Sequence, residues 1–208
     1  MKRFSVAALS FLALSSFVAV SVADGKNEPP KKAEIDKPVK NFKAKDLMKQ
    51  LKEGEPAEAA LAPILLETDK KEEAKKATAI FFLAYTCPVT WRYEKRVGAL
   101  MKKYGKDVRF VAVSSHYEED PKKVRDFAEQ RNFDMPVLRD ADSKIAVFYG
   151  VRSTPAMLVI DGKGTLRYHG AIDDDPGETS VKKKYVAEAI DAIIAGKDVP
   201  VKRTMVPG

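Results

Sequence analysis

From Ala77 onward the apolar and polar positions fall into blocks whose period switches between strand and helix. The run ATAIFFLAY (77–85) is short, continuously apolar and rich in β-formers, as expected for a strand buried on both faces of a parallel sheet. After Cys87 the period becomes helical. Pro88 suits the first helical position, and Tyr93, Val97, Leu100, Met101 and Tyr104 share one face before Gly105 closes the segment. VRFVAVSS (108–115) predicts a second buried strand, so residues 77–115 read as a βαβ unit. Asp120-Pro121 opens a helix that turns Val124, Phe127 and Ala128 inward. Asp142 is expected to cap a short helix carrying Ile145 and Phe148 and ending at Gly150. AMLVI (156–160) is a strand that DGKG turns into TLRYHG (165–170) as an antiparallel hairpin. Ser180 is expected to cap a last helix, with Val181, Tyr185, Ala189, Ile190 and Ile193 on one face and Gly196 as its stop. The order predicts an α/β domain: a central mixed sheet, parallel in the middle and antiparallel at one edge, flanked by helices.

Upstream of Ala77 the pattern weakens. A short helix around Asp46 to Lys52 and a strand or turn over APILLET (62–68) are the elements it allows, and DGKNEPPKKAE (24–34) reads as a flexible leader. Residues 1–23 place Lys2 and Arg3 before an apolar stretch from Phe4 to Val20 and a small-x-small pattern ending at Ala23, the signature of a cleaved secretory signal peptide. The expected organisation is therefore signal peptide 1–23, leader 24–34, one domain over 35–196 that includes an N-terminal extension 35–76, and an extended C-terminal tail 197–208.

Charge changes this picture little. Cleavage would leave 185 of 208 residues and, with Lys2 and Arg3 gone, a formal charge of +5 in place of +7. The lysines cluster at 31–32, 70–71, 75–76 and 182–184, interleaved with acids and without aromatic partners. They read as solvated faces, with no nucleic acid and no stable membrane insertion expected of the mature chain. The location expected is exported, periplasmic or secreted. One cysteine cannot form a disulfide framework, so stability has to come from the core.

That cysteine, Cys87, follows a predicted parallel strand and precedes a predicted helix. It lies at the carboxyl edge of the sheet, where α/β proteins place ligands, against the unpaired N–H groups and positive dipole end of the helix. Both effects favour a thiolate, and Arg92, Lys95 or Arg96 would add to them. Thr90, three residues on, can present its hydroxyl within the same first turn. The competing reading is a buried, inert thiol that packs as a small hydrophobe.

The segments FFLAYTCPVTWRY, MPVLRDAD, YGVRSTPAMLVIDGKGTLRYHGAIDD and DKPVKNFKAKD resemble a thioredoxin-fold protein of the redoxin branch, which includes alkyl hydroperoxide reductases and thiol-specific antioxidant proteins. The resemblance spans Ile35 to Asp174. It implies that Cys87, flanked by Thr86 and Pro88, is the reactive cysteine. Thr90 then stands where a dithiol thioredoxin has its resolving cysteine, and Thr154-Pro155 is the pair whose proline is cis and faces the site. The spacing of Cys87, Thr90 and Tyr93 is similar to a glutathione peroxidase motif. The sequence departs from typical peroxiredoxins at Ile80 and Ala84, where that family has proline and threonine, and Thr154-Pro155 replaces its thiolate-binding arginine.

Among other candidates, Arg152 precedes the Thr-Pro loop and is placed to stabilise an anionic intermediate. His116 follows the second strand, but no second ligand sits at metal spacing, so a solvated or capping role is preferred and no metal is expected. His169 is expected to be structural, Asp173 to Asp175 a solvated turn, and Trp91 a packing residue on the first helix. Two functions follow. In the preferred one an exported thiol oxidoreductase attacks a peroxide oxygen or a disulfide sulfur through Cys87, needs no cofactor, and relies on an external thiol or thioredoxin-like reductant. In the other a redox-inactive protein keeps the fold and holds a polypeptide at the sheet edge.

Overall fold

The computed structural model of the protein describes residues 32–49, 61–64, 75–177 and 179–207. Its elements in chain order are β1 (Lys43–Asp46), β2 (Leu61–Pro63), β3 (Ala77–Leu83), α1 (Pro88–Arg92), α2 (Glu94–Tyr104), β4 (Val108–Ser114), α3 (Pro121–Gln130), β5 (Val137–Arg139), α4 (Lys144–Tyr149), β6 (Ala156–Asp161), β7 (Leu166–Gly170) and α5 (Tyr185–Ile194). All seven residues of β3 are buried, as its unbroken apolar run requires. Ala77, Ala79, Phe81 and Leu83 point into one core, which packs against α2, α3 and α5; Ile80 and Phe82 point into the other, under α4.

The strands form one mixed sheet in the order β2-β1-β5-β4-β3-β6-β7. β3, β4 and β5 pair in parallel, whereas β6 and β7 add antiparallel to one side and β1 and β2 to the other. The fold is thioredoxin-like, with helices on both faces. The expected parallel centre and antiparallel hairpin edge are present. β2 overlaps the start of the strand or turn expected over 62–68, whereas β1 and β5 are elements the hydrophobic pattern did not reveal, because strands of three or four residues are too short to show a period.

Four local expectations need correction. The helix after Cys87 is not continuous: Tyr93 breaks it, with its N–H donating to the Thr90 carbonyl at 3.2 Å in a tightened turn. This rotation seats the Tyr93 ring in the core with no solvent exposure. At α4 the cap position is Ser143, in the left-handed conformation. Asp142 accepts from Lys144 N at 3.3 Å, as a cap would, but it is buried Asp140 that takes Ile145 N and Ala146 N at 3.1 and 3.0 Å. Ser180 does not cap α5, which starts five residues later. Asp175 accepts from the N–H groups of Gly177, Thr179 and Ser180, and Asp174 from those of Lys182 and Lys183, so side chains take the donors a helix would have used. Over 46–49, where a helix was expected, Asp46 ends β1 and its carboxylate accepts from Met48 N and Val137 N. The remainder of that segment, residues 65–68 of APILLET, the signal peptide and most of the leader lie outside the described residues.

The chain ends are tied down where they are described. Ala33 N donates to the Phe148 carbonyl at 2.7 Å. Residues 202–204 run beside β7, with His169 and Arg203 bridged in parallel, and the Thr204 hydroxyl meets Tyr168 Oη and Ala171 N at 2.8 Å each.

Candidate functional site

Strand β3 delivers the chain to the carboxyl edge of the sheet, and a tight turn reverses it. Cys87 N donates to the Ala84 carbonyl at 3.1 Å. Cys87 is then the N-cap of α1, in an extended conformation with φ −84° and ψ 115°, and Pro88 takes the first helical position, where its missing N–H costs nothing. The indole Nε1 of Trp91 donates back to the Tyr85 carbonyl at 2.6 Å and pins the turn from the helix side. Trp91 thus acts as a strut, although about half of its surface is exposed.

The thiol is half-buried and donates to the Thr154 carbonyl at 3.3 Å. The Thr154-Pro155 peptide bond is cis, as the resemblance implied, and the pair enters β6 directly beside β3. Residues 67 apart in sequence therefore share one hydrogen bond at the sheet edge.

The other expected residues divide. Thr86 and Pro88 flank the thiol and are exposed. Thr90 N closes the first turn on the Cys87 carbonyl at 3.0 Å. Its hydroxyl, fully buried, makes no hydrogen bond with the thiol or any other group of the described residues. Tyr93 commits its hydroxyl to Asp173 at 3.1 Å and is not a thiol partner. Burial, reinforced by the Asp173 charge, pushes its phenol well above the ordinary range. Arg96 was expected to assist the thiol but grips Asp173 at 2.7 Å, with its guanidinium 3.7 Å from the Tyr93 ring centroid. Asp173 is accordingly buried and paired, not part of a solvated turn. Arg152 is exposed, lines a cavity and makes no hydrogen bond or ion pair among the described residues.

The residue that sequence reasoning missed is Glu119. It is buried, and its Oε1 accepts from both Thr86 N and Thr86 Oγ at 3.1 Å, while Oε2 accepts from Ser114 Oγ at 3.1 Å. A carboxylate thereby anchors the residue preceding the cysteine to the end of β4. The loop that carries it is wrapped on Arg139, whose guanidinium donates to the carbonyls of Ser114, His116, Tyr117 and Glu119. Nothing in the string HYEEDP distinguishes Glu119 from Glu118; only the fold turns one of them inward. His116 is exposed and stacked on Tyr117. His169 is buried, and desolvation, with the Arg203 charge, lowers its pKa to about 4. Among the described residues no cluster of acids, histidines or cysteine is arranged to hold a metal.

Residues 35–169 match the AhpC/TSA family. No curated protein matches the sequence. Among solved structures the chain is similar to an uncharacterised conserved protein from Geobacillus kaustophilus, at 23% identity and a TM-score of 0.68, with 82% of this chain and 87% of that one covered. It is also similar to a hypothetical protein from Sinorhizobium meliloti 1021, at 24% identity and a TM-score of 0.67, covering 85% and 92%. A thioredoxin-like protein in its oxidised form is similar at 22% identity and a TM-score of 0.50, covering 60% and 81%.

Proposed function

The chain belongs to the AhpC/TSA family, and from that premise we propose that it is an exported one-cysteine thiol oxidoreductase whose principal chemistry is peroxide reduction at Cys87. The observation that carries the proposal is the position of the only cysteine of the sequence: half-buried at the N-cap of a Pro-initiated helix, hydrogen-bonded to the carbonyl that precedes a cis-proline. The Cys87 sulfur releases its proton and attacks one peroxide oxygen, the O–O bond breaks, the second oxygen takes up that proton and leaves as water, and Cys87 becomes a sulfenic acid. Thr90 holds a buried hydroxyl free to donate to the oxygen that the sulfur gains. With no internal second thiol, an external thiol or thioredoxin-like protein returns Cys87 to its reduced form. Attack on a disulfide would leave a mixed disulfide that Thr90 cannot resolve, which favours the peroxide reaction.

Export follows from residues 1–23 and belongs to the same proposal. Among the described residues no helix is long and apolar enough to cross a membrane. The test is one equivalent of hydrogen peroxide added to reduced protein, followed by dimedone trapping and intact mass. A single dimedone adduct, absent from Cys87→Ser, is expected. A native thiol that stays unmodified under conditions where the unfolded chain is oxidised would overturn the proposal and leave a redox-inactive binding protein as the better account.

A further inference from the structure

A cavity adjoins the residues that hold the thiol, although Cys87 itself is not among its lining. A space of about 310 Å³ opens at the carboxyl edge of the sheet between α4 and the loop before β6. That is the lower end of the range of about 300–1,000 Å³ typical of small-molecule sites. Two of its walls are the residues that hold Cys87: Ala84, whose carbonyl accepts from Cys87 N at 3.1 Å, and Thr154, whose carbonyl accepts from the thiol at 3.3 Å. Its lining mixes apolar residues, among them Phe82 and Val151, with polar ones, among them Ser115, His116 and Arg152. Two acids adjoin lining residues: Asp142, next to Ser143 and ion-paired with Lys144 at 2.5 Å, and Asp140. Asp140 is buried and takes the Ser115 hydroxyl at 2.8 Å and the N–H groups of Ile145 and Ala146, and neither acid pairs with Arg152.

A small pocket lined by one unengaged arginine suits a short organic carboxylate, because a guanidinium matches a carboxylate with two parallel donors. Hydrogen peroxide, small and uncharged, has no carboxylate to pair with the guanidinium. The reductant is the reactant this cavity can select. We propose that the reductant of Cys87 is a low-molecular-weight thiol bearing a carboxylate, which sits in this cavity with its carboxylate on Arg152 and its sulfur turned toward Cys87. The inference rests on the thiol peroxidase reading. The bound thiol attacks the Cys87 sulfur of the sulfenic acid, a disulfide forms and the oxygen leaves as water. A second equivalent of thiol attacks the mixed disulfide, which releases reduced Cys87 and the symmetrical disulfide of the reductant.

The experiment compares 3-mercaptopropanoate, the neutral 3-mercaptopropan-1-ol and the cationic cysteamine at matched thiolate concentration, against protein whose Cys87 has been oxidised with one equivalent of hydrogen peroxide. The carboxylate thiol is expected to reduce Cys87 about tenfold faster than the alcohol, as one partly exposed charge-assisted contact allows. Cysteamine should be slowest, and high salt should shrink the advantage. Arg152→Gln should bring the ratio of carboxylate to alcohol close to one, and Arg152→Lys should retain part of it. Equal rates for the three thiols with the wild type would overturn the inference. If no sulfenic acid forms, the peroxidase reading fails by itself. The cavity is then judged on reduced protein by NMR titration with 3-(methylthio)propanoate and with the corresponding alcohol. Shifts at Ala84, Arg152 and Thr154 that saturate at lower concentration for the carboxylate sustain the carboxylate site, and identical titrations overturn it.

Discussion

Replacing Glu119 tests whether a buried carboxylate fixes the turn that presents the thiol. Glu119→Ala removes the acceptor for three donors: the amide and hydroxyl of Thr86 and the hydroxyl of Ser114. Hydrogen bonds to a charged group contribute about 1.5–3 kcal/mol each when both partners are buried. Ser114 is fully buried and loses in that range, whereas Thr86 is exposed and recovers most of its loss in water. Relief from desolvating the carboxylate offsets part of the total. The net expectation is about 2–3 kcal/mol for alanine and about 1 kcal/mol for Glu119→Gln, which keeps an acceptor toward Thr86 and an amide toward Ser114. In urea, at a slope of about 2 kcal/mol per molar, the alanine variant should unfold roughly 1–1.5 M earlier at unchanged slope. Native-state hydrogen exchange adds a local readout, since the Thr86 amide should lose protection in Glu119→Ala and keep much of it in Glu119→Gln. An alanine shift below about 0.5 kcal/mol, or equal shifts for the two variants, would refute the reasoning.

Three further outcomes are expected. Asp173→Ala leaves the partly buried Arg96 guanidinium without its carboxylate and should cost about 3 kcal/mol, measurable by denaturant melts; a loss under 1 kcal/mol would show that the carbonyls of Asp175 and Pro176 suffice. His169 has a folded pKa near 4 against about 6.5 in the unfolded chain, so the unfolded state binds the extra proton between those values. Stability contributed by neutral His169 is present above pH 6.5 and falls by up to about 3 kcal/mol as pH drops toward 4. His169→Gln should flatten that part of the stability profile, and an unchanged slope would exclude the histidine as its source. At Gly170 a methyl group would run into the Thr204 hydroxyl and lie 2.8 Å from both Thr204 N and Tyr168 Oη. Gly170→Ala should therefore cost about 1–3 kcal/mol and expose the segment after Val199 to proteolysis, whereas equal cleavage of wild type and variant would count against a docked tail.

The sequence by itself determined the βαβ unit, the terminal hairpin and the place of Cys87 at a strand-to-helix junction. Those features are written in local terms: an apolar run long enough to be buried on both faces, a proline at a helix start, and glycines at Gly150, Gly164 and Gly196, all of which have positive φ. The cis-proline beside the thiol was legible only through resemblance, since an X-Pro dipeptide carries little information about its isomer. Short strands such as β5 and the charged β1 were not legible, because pairing with neighbours, and not their own pattern, makes them strands. Tertiary structure alone decided which polar residues are committed and which are available. It turned Glu119 inward and left Glu118 in water, gave Arg96 to Asp173, and left Arg152 without a partner among the described residues in the lining of a cavity that adjoins the residues holding the thiol. The physical reason is that a charge's role depends on what surrounds it in space. Burial and hydrogen-bond partners are set by chain segments far apart in sequence, and no window along the chain contains them.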